Sequence, residues 1–211
     1  MAGNVSFKKM GAEAILYLEN GCLVKERVCK RYRLREIDEK IRRLRTSLEA
    51  SLIAEARRHR VSAPAIFEVD KKGFKIKMEF IDGVRVKEHF YSCSERDVKK
   101  ISFKIGESVG RLHSAGIVHG DLTTSNMILR NGEVFFIDFG LGFFSKRIED
   151  YGTDLKLLKE AIQSTHFKIL KICWDNILKG YKKEYKDAER VIEKVKEIET
   201  RARYAQKQEQ I

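Results

Sequence analysis

Two stretches joined by an Asn-Gly turn constrain this chain more than any other feature. The first is His119-Gly120-Asp121-Leu122-Thr123-Thr124-Ser125-Asn126, of the form HxDxxxxN. The second is the apolar run Val134-Phe135-Phe136-Ile137, which ends in Asp138-Phe139-Gly140. Between them stands Asn131-Gly132, the dipeptide that a two-residue hairpin turn favours because both central residues take positive φ. Pairing the strands outward from that turn sets Arg130 opposite Glu133, Leu129 opposite Val134, Ile128 opposite Phe135, Met127 opposite Phe136 and Asn126 opposite Ile137. Asn126 and Asp138, twelve residues apart, then emerge at the same open end as diagonal neighbours, roughly 7–8 Å apart. Both offer hard oxygen donors, which suits Mg2+ bound together with nucleotide phosphates.

The chain divides into a strand-rich first third and a helix-rich remainder, an α+β pattern. Residues 5–30 read as short strands turning at Asn20-Gly21, among them Cys22-Leu23-Val24-Lys25. A long helix over about residues 34–58 carries Leu34, Ile37, Ile41, Leu44, Leu48 and Leu52 in steps of three and four, and Pro64 breaks the pattern. Strands follow at 65–69 and 74–80, around a turn at Asp70 to Gly73. Ser94 caps a helix from Glu95 that has Val98, Ile101, Ile105, Val109 and Leu112 on one face and Gly116 as its stop. Further helices are expected from about Asp154 to the end, with Val191, Val195, Ile198 and Ala202 inward. The expected division is 1–82 and 83–211, joined near residues 79–83, and small-molecule sites favour such junctions.

The HxDxxxxN and DFG segments, in this order around a hairpin turn, resemble those of the protein kinases. In that template the loop aspartate, here Asp121, accepts or orients the substrate hydroxyl proton, while Asn126 and Asp138 hold the metals. ATP and Mg2+ are the implied cofactors. The template calls for a lysine on an early strand and a glutamate on the next helix. Lys25 ends the strand Leu23-Val24-Lys25, with Lys30 as its competitor. Glu49 lies three residues before Leu52 and can face inward toward Lys25; the competing role is an exposed partner of Arg45. Gly11-Ala12-Glu13-Ala14 stands where a glycine-rich loop would lie, and at the junction Met78, Glu79 and Ile81 are assigned to the nucleotide. Two features depart from regulated kinases. Gly120 follows His119 where those carry arginine. The 16-residue step from Asp138 to Asp154 holds no APE, Pro64 being the only proline, so no activation segment fits.

The likeness narrows further. His119 to Asn126, Ile137-Asp138-Phe139-Gly140-Leu141, Gly11-Ala12-Glu13-Ala14, Arg45-Thr46 with Glu49-Ala50, and Ser164-Thr165-His166 resemble the small atypical kinase of the KEOPS (EKC) complex, the p53-related protein kinase-like family, over nearly the whole chain and with an archaeal cast. The resemblance implies a minimal two-lobed kinase fold, with a small β-rich N-lobe carrying one long helix and a helical C-lobe. It implies ATPase activity with weak serine kinase activity, in support of threonylcarbamoyladenosine modification of tRNA. The implied partners are the tRNA threonylcarbamoyltransferase subunit at the C-lobe, a small accessory subunit at the N-lobe, and tRNA within the complex. The family's basic tail is represented by Arg201, Arg203 and Lys207. The alternative is a free-standing RIO-like serine kinase acting on a protein; a third reading is a scaffold that binds nucleotide without turnover.

The formal charge of +12 suggests a polyanionic partner. Lys25, Arg27, Lys30, Arg31, Arg33, Arg35, Lys40, Arg42, Arg43 and Arg45 face only Glu26, Glu36, Asp38 and Glu39 over the same stretch, which could meet RNA phosphates or form a solvated helix face. The 43% hydrophobic fraction supports a buried core. No stretch has the length of a membrane span, and residues 1–9 lack a signal-peptide core, so a cytoplasmic protein is expected. Cys22, Cys29, Cys93 and Cys173 form no CxxC pair, which argues for reduced thiols over zinc or disulfides. His59, His89 and His113 have no ligand spacing.

Overall fold

Two Asn-Gly pairs set the local geometry from which the fold is built. Asn20 and Gly21 have φ of 51° and 76°, and Asn131 and Gly132 of 51° and 77°. Two successive positive values mark type I′ turns, whose twist matches that of the strands they join. The computed structural model describes residues 5–11 and 13–208. In its first part β1 (Val5–Met10), β2 (Ala14–Glu19), β3 (Cys22–Arg27), β4 (Ile66–Asp70) and β5 (Lys75–Glu79) form an antiparallel sheet in the order β1-β2-β3-β5-β4. One long helix, α1 (Arg35–Arg58), connects β3 to β4 and packs against β4 and β5. There Ala50 joins Ile76 and Met78 in a small apolar cluster.

An apolar series in steps of three and four ordinarily marks a helix's buried face. In α1 it does not. Leu34, Ile37, Leu44 and Leu48 are exposed, and of the series only Leu52 is buried. The inner face instead carries Asp38, Thr46, Glu49, Ala50, Leu52, Ile53 and Ala56. Glu49 and Asp38 are buried because cations meet them: Lys25 and Arg27 at Glu49, and Arg42 and Arg33 at Asp38. Apolar periodicity finds the helix but cannot see a charged inner face.

The second part is mostly helical: β6 (Val84–Arg85), α2 (Val86–His89), α3 (Glu95–Ser114), β7 (Ile117–Val118), β8 (Met127–Arg130), β9 (Glu133–Phe136), β10 (Phe143–Phe144), α4 (Ile148–Thr165), α5 (Leu170–Glu184) and α6 (Ala188–Gln208). Ser94 caps α3 as expected, its Oγ accepting the Asp97 N–H at 3.2 Å, and the five apolar residues of its expected face are all buried. α3 and α5 approach through glycine. A Cβ on Gly106 would lie 2.0 Å from the Ile177 carbonyl oxygen, and one on Gly180 2.1 Å from that of Phe103. Side chains there would force the helices apart.

α4 starts at Ile148, ahead of the expected Asp154. Its first turn carries Glu149 and Asp150, favourable at a helix N-terminus, and Ser145 Oγ donates to Asp150 Oδ2 at 2.5 Å. Gly152, which weakens the helical pattern, is a packing site: a Cβ there would lie 2.9 Å from Lys194 Cγ of α6. In α6, Val191 and Val195 are buried together with Ile192, while Ile198 is half-buried and Ala202 exposed. β10 pairs with β7 and α4 begins shortly after it, so no extended activation segment intervenes. All four cysteines are free thiols. No helix among the described residues is long and apolar enough to cross a membrane. Ala12, residues 1–4 and 209–211, and the side chains of Arg203 and Lys207 lie outside the described residues.

Candidate active site

The hairpin of β8 and β9 has the register derived from its turn, from Arg130 opposite Glu133 to Met127 opposite Phe136. The Ile137 N–H then donates to the Asn126 carbonyl at 3.0 Å, which extends the pairing by one step and brings Asn126 and Asp138 to the same end. Asn126 closes a 3-10 turn over Thr124–Asn126. Its Nδ2 donates to Asp121 Oδ2 at 2.7 Å and to the Asp121 carbonyl at 3.1 Å, which leaves its amide oxygen as an acceptor. Asp138 has φ of 61°, a conformation that costs a non-glycine residue about 1–3 kcal/mol and clusters at functional sites.

Lys25 on β3 reaches across to this end. Its Nζ donates to Asp138 Oδ1 and to Glu49 Oε1, each at 2.6 Å. Burial works against the Lys25 charge, but Glu49 and Asp138 outweigh it and its pKa is raised. Burial likewise opposes the Asp138 carboxylate, and Lys25 outweighs it, holding Asp138 below the usual carboxylate range. The structure thus joins Glu49, Lys25 and Asp138 in one set and Asp121 with Asn126 in a second, and Lys25 rather than Lys30 meets Glu49. Arg45 pairs with Glu13 instead, at 2.5 Å. Met78 and Ile81 are buried at the junction. The Glu79 carboxylate is taken up by Arg130 at 2.8 Å and by the Ala65 N–H at 3.2 Å.

His119 lies beneath these two sets and is fully buried. Burial lowers its pKa, only partly opposed by Asp154. Its bonds fit the neutral ring. Nε2–H donates to the Ile137 carbonyl at 3.2 Å, and Nδ1 accepts the Asp121 N–H at 3.3 Å. Its ring also meets Phe139, centroid to centroid at 4.6 Å.

Two residues of the site carry no motif role in the sequence. Asp154 is buried and accepts the N–H groups of His119 at 2.8 Å and Gly120 at 2.9 Å, with His113 Nε2 at 3.3 Å; nothing in the sequence marks it. Arg27 sits two residues beyond Lys25 and donates to Glu49 Oε2 at 2.5 Å; its position on the same strand face is a signal that was available. Gly120 also gains a reason. Its φ is 77°, and a Cβ would lie 2.4 Å from the Leu141 carbonyl oxygen.

The basic run is largely occupied within the chain. Besides Lys25 and Arg27, Arg33 and Arg42 meet Asp38, Arg35 meets Glu39, and Arg45 meets Glu13. Among the described residues no group of three His, Cys, Asp or Glu side chains could hold a metal alone. The donors at the open end, one amide oxygen and one ionised carboxylate, fit Mg2+, which takes one or two protein oxygens and completes its shell with phosphates and water.

The protein kinase domain family matches residues 23–167. Among solved structures, the Rio2 kinase-ADP/Mg2+-phosphoaspartate complex from Chaetomium thermophilum aligns with a TM-score of 0.64 at 13% identity, covering 95% of this chain and 71% of that one. The streptomycin-ATP-APH(2")-IIa ternary complex aligns with a TM-score of 0.62 at 16% identity, covering 91% and 81%. Fold and site together define a protein of the protein-kinase class, with kinase- or ATPase-type activity. The KEOPS complex subunit Bud32 of Pyrococcus abyssi is 46% identical over 94% of this chain and 96% of its own length. A protein described as "Probable bifunctional tRNA threonylcarbamoyladenosine biosynthesis protein", from Methanosarcina barkeri, is 48% identical over 92% of this chain, which spans 35% of that longer relative. The chain belongs to the Bud32 family of protein-kinase-like proteins.

Proposed function

We propose that this chain is an ATP-hydrolysing subunit of a KEOPS-type assembly that supports threonylcarbamoyladenosine formation on tRNA, with weak serine kinase activity as a side capacity of the same site. The observation that carries the chemistry is the unbroken chain of contacts from Glu49 through Lys25 to Asp138, beside the Asp121–Asn126 hydrogen bond. Mg2+, held by Asn126 and Asp138, would supply charge neutralisation at the phosphates. Lys25 donates to the phosphates of ATP, and Glu49 orients Lys25. Asp121 positions the attacking water and accepts its proton as the new bond to the γ-phosphorus forms; the electron pair of the broken anhydride bond leaves with ADP. A serine hydroxyl in place of that water gives the kinase reaction. The loop at Gly11 and Glu13, with Ala14 after it, covers the nucleotide, and Met78, Glu79 and Ile81 line its base at the junction between residues 1–82 and 83–211.

The names of the relatives support the assembly. In the bifunctional relatives the matching segment is about a third of a longer chain, which suggests that a second activity works beside it. We assign the threonylcarbamoyltransferase subunit to the C-lobe, where Leu141, Phe143 and Phe144 are exposed. The small accessory subunit goes to the N-lobe, where Leu34, Ile37, Leu44 and Leu48 form the outward stripe of α1. tRNA would meet the remaining basic surface, and the setting is cytoplasmic. The test is reconstitution with the transferase and accessory subunits and tRNA, reading modified nucleoside and ATP hydrolysis together. Modification that requires this chain with an intact Asp138 supports the proposal. Full modification with the chain omitted overturns it.

A further inference from the structure

The buried part of the site holds a cation to which the nucleotide chemistry gives no task. Arg27 is 5% exposed. Its Nη2 donates to Glu49 Oε2 at 2.5 Å while Lys25 takes Oε1 at 2.6 Å, so each oxygen of the buried carboxylate has its own cation. Arg27 Nη1 lies 3.6 Å from Glu13 Oε2, and that same oxygen accepts from Arg45 of α1 at 2.5 Å. Arg27 Nε is buried without a hydrogen-bond partner among the described residues. A Cβ on Gly140 would lie 3.0 Å from Asp138 Oδ1, 3.3 Å from Lys25 Nζ and 3.4 Å from Arg27 Nη2. Both cations therefore border the backbone beside Asp138.

Resting on the nucleotide site proposed above, we infer that Arg27 is a positioning residue: it holds Glu49 independently of Lys25 and ties the loop at Glu13 to α1, so that Glu49 stays in place to orient Lys25 as Lys25 exchanges Asp138 for phosphate. Removing the partner of a buried carboxylate is strongly unfavourable. If Lys25 were the sole counter-charge of Glu49, sharing the Lys25 charge with a phosphate would carry part of that penalty. Arg27 removes it, because a guanidinium stays protonated and its fork can span two acceptors. Glu13, Glu49 and Asp138 against Arg45, Arg27 and Lys25 form a neutral network of alternating sign. Glu13 serves it as an anchor for the loop, since a carboxylate aimed at phosphate would repel it.

The test is equilibrium binding of ATP, by calorimetry with Mg2+ and again with EDTA, to the wild-type chain, Arg27→Met, Glu49→Gln, the double variant and Arg27→Lys. Melting temperatures of the nucleotide-free proteins are measured alongside. Each of the first two variants should weaken ATP by roughly tenfold, the scale of one lost charged hydrogen bond. The double variant should bind no more weakly than Glu49→Gln, because both changes act through one carboxylate. Arg27→Lys should recover part of the loss. Additive losses, or a lower melting temperature of Arg27→Met with unchanged ATP affinity, overturn the inference. If Arg27→Met does not fold, Arg27→Lys decides: weakened ATP binding upholds the role, and wild-type affinity overturns it. A wild-type chain that binds no ATP instead removes the nucleotide site, and the role of Arg27 falls with it.

Discussion

Lys25 and Asp138 stand 113 residues apart in the chain, and Nζ of one lies 2.6 Å from Oδ1 of the other. The contact joins the strand that carries the lysine to the hairpin end that carries the carboxylate. Its pH dependence follows from the two shifts. The lowered pKa of Asp138 contributes stability that is fully present above its unfolded value, about 3.9, and is lost as pH falls through the depressed folded value. The raised pKa of Lys25 contributes stability present below about 10.4 and lost as pH rises through the raised value. The stability difference between wild type and Asp138→Asn should therefore be flat from about pH 7 to 9, above the range where His119, which feels the Asp138 charge, takes up its proton. Denaturant melts across that range check it, and a slope inside the plateau contradicts the paired state.

His119 predicts a second pH effect. Its folded pKa is lowered, so the stability it contributes is complete above about 6.5 and is lost as pH falls through the folded value. Protonation would also set a ring N–H against the Asp121 N–H that Nδ1 now accepts. Wild-type stability should decline on acidification from about pH 7 to 5, and His119→Gln should flatten that decline. His166, also lowered by burial, leaves a residual slope of the same sign in the variant. Unfolding midpoints over this range that run parallel in both proteins contradict a neutral His119.

The two sides of α1 should respond unequally to substitution. Leu52 is fully buried, and Leu52→Ala should cost about 2–5 kcal/mol. Leu44 is 60% exposed, and Leu44→Ser should stay within about 0.5 kcal/mol. Equal losses in chemical denaturation would place the sequence's apolar stripe in the core after all.

Gly120 should not tolerate the arginine of regulated kinases. Positive φ and the near contact with the Leu141 carbonyl act together, and Gly120→Arg should destabilise by about 2–4 kcal/mol. A variant with the wild-type melting temperature would show that the backbone there relaxes freely.

These cases show where the sequence was legible. The β8–β9 register followed from Asn131-Gly132 and the two-residue period, because both are local. The Ser94 cap and the α3 face were local too. The inner face of α1 was not, because Glu49 and Asp38 are buried only through partners brought by β3 and by α1's own arginines. Asp154 was invisible for the same reason: its partners are backbone N–H groups 34 and 35 residues away. The basic run looked like free charge, yet Lys25 and Arg27 are its most deeply buried cations.

The most direct test of the catalytic account is steady-state, Mg2+-dependent ATP turnover by Asp138→Ala and Asp121→Ala, with folding checked by thermal melts. Asp138→Ala should abolish turnover. Asp121→Ala should lower it by roughly 10²–10⁴, the scale of a lost general base or positioning group. Turnover at the wild-type rate by a folded Asp138→Ala protein contradicts the assignment of this site.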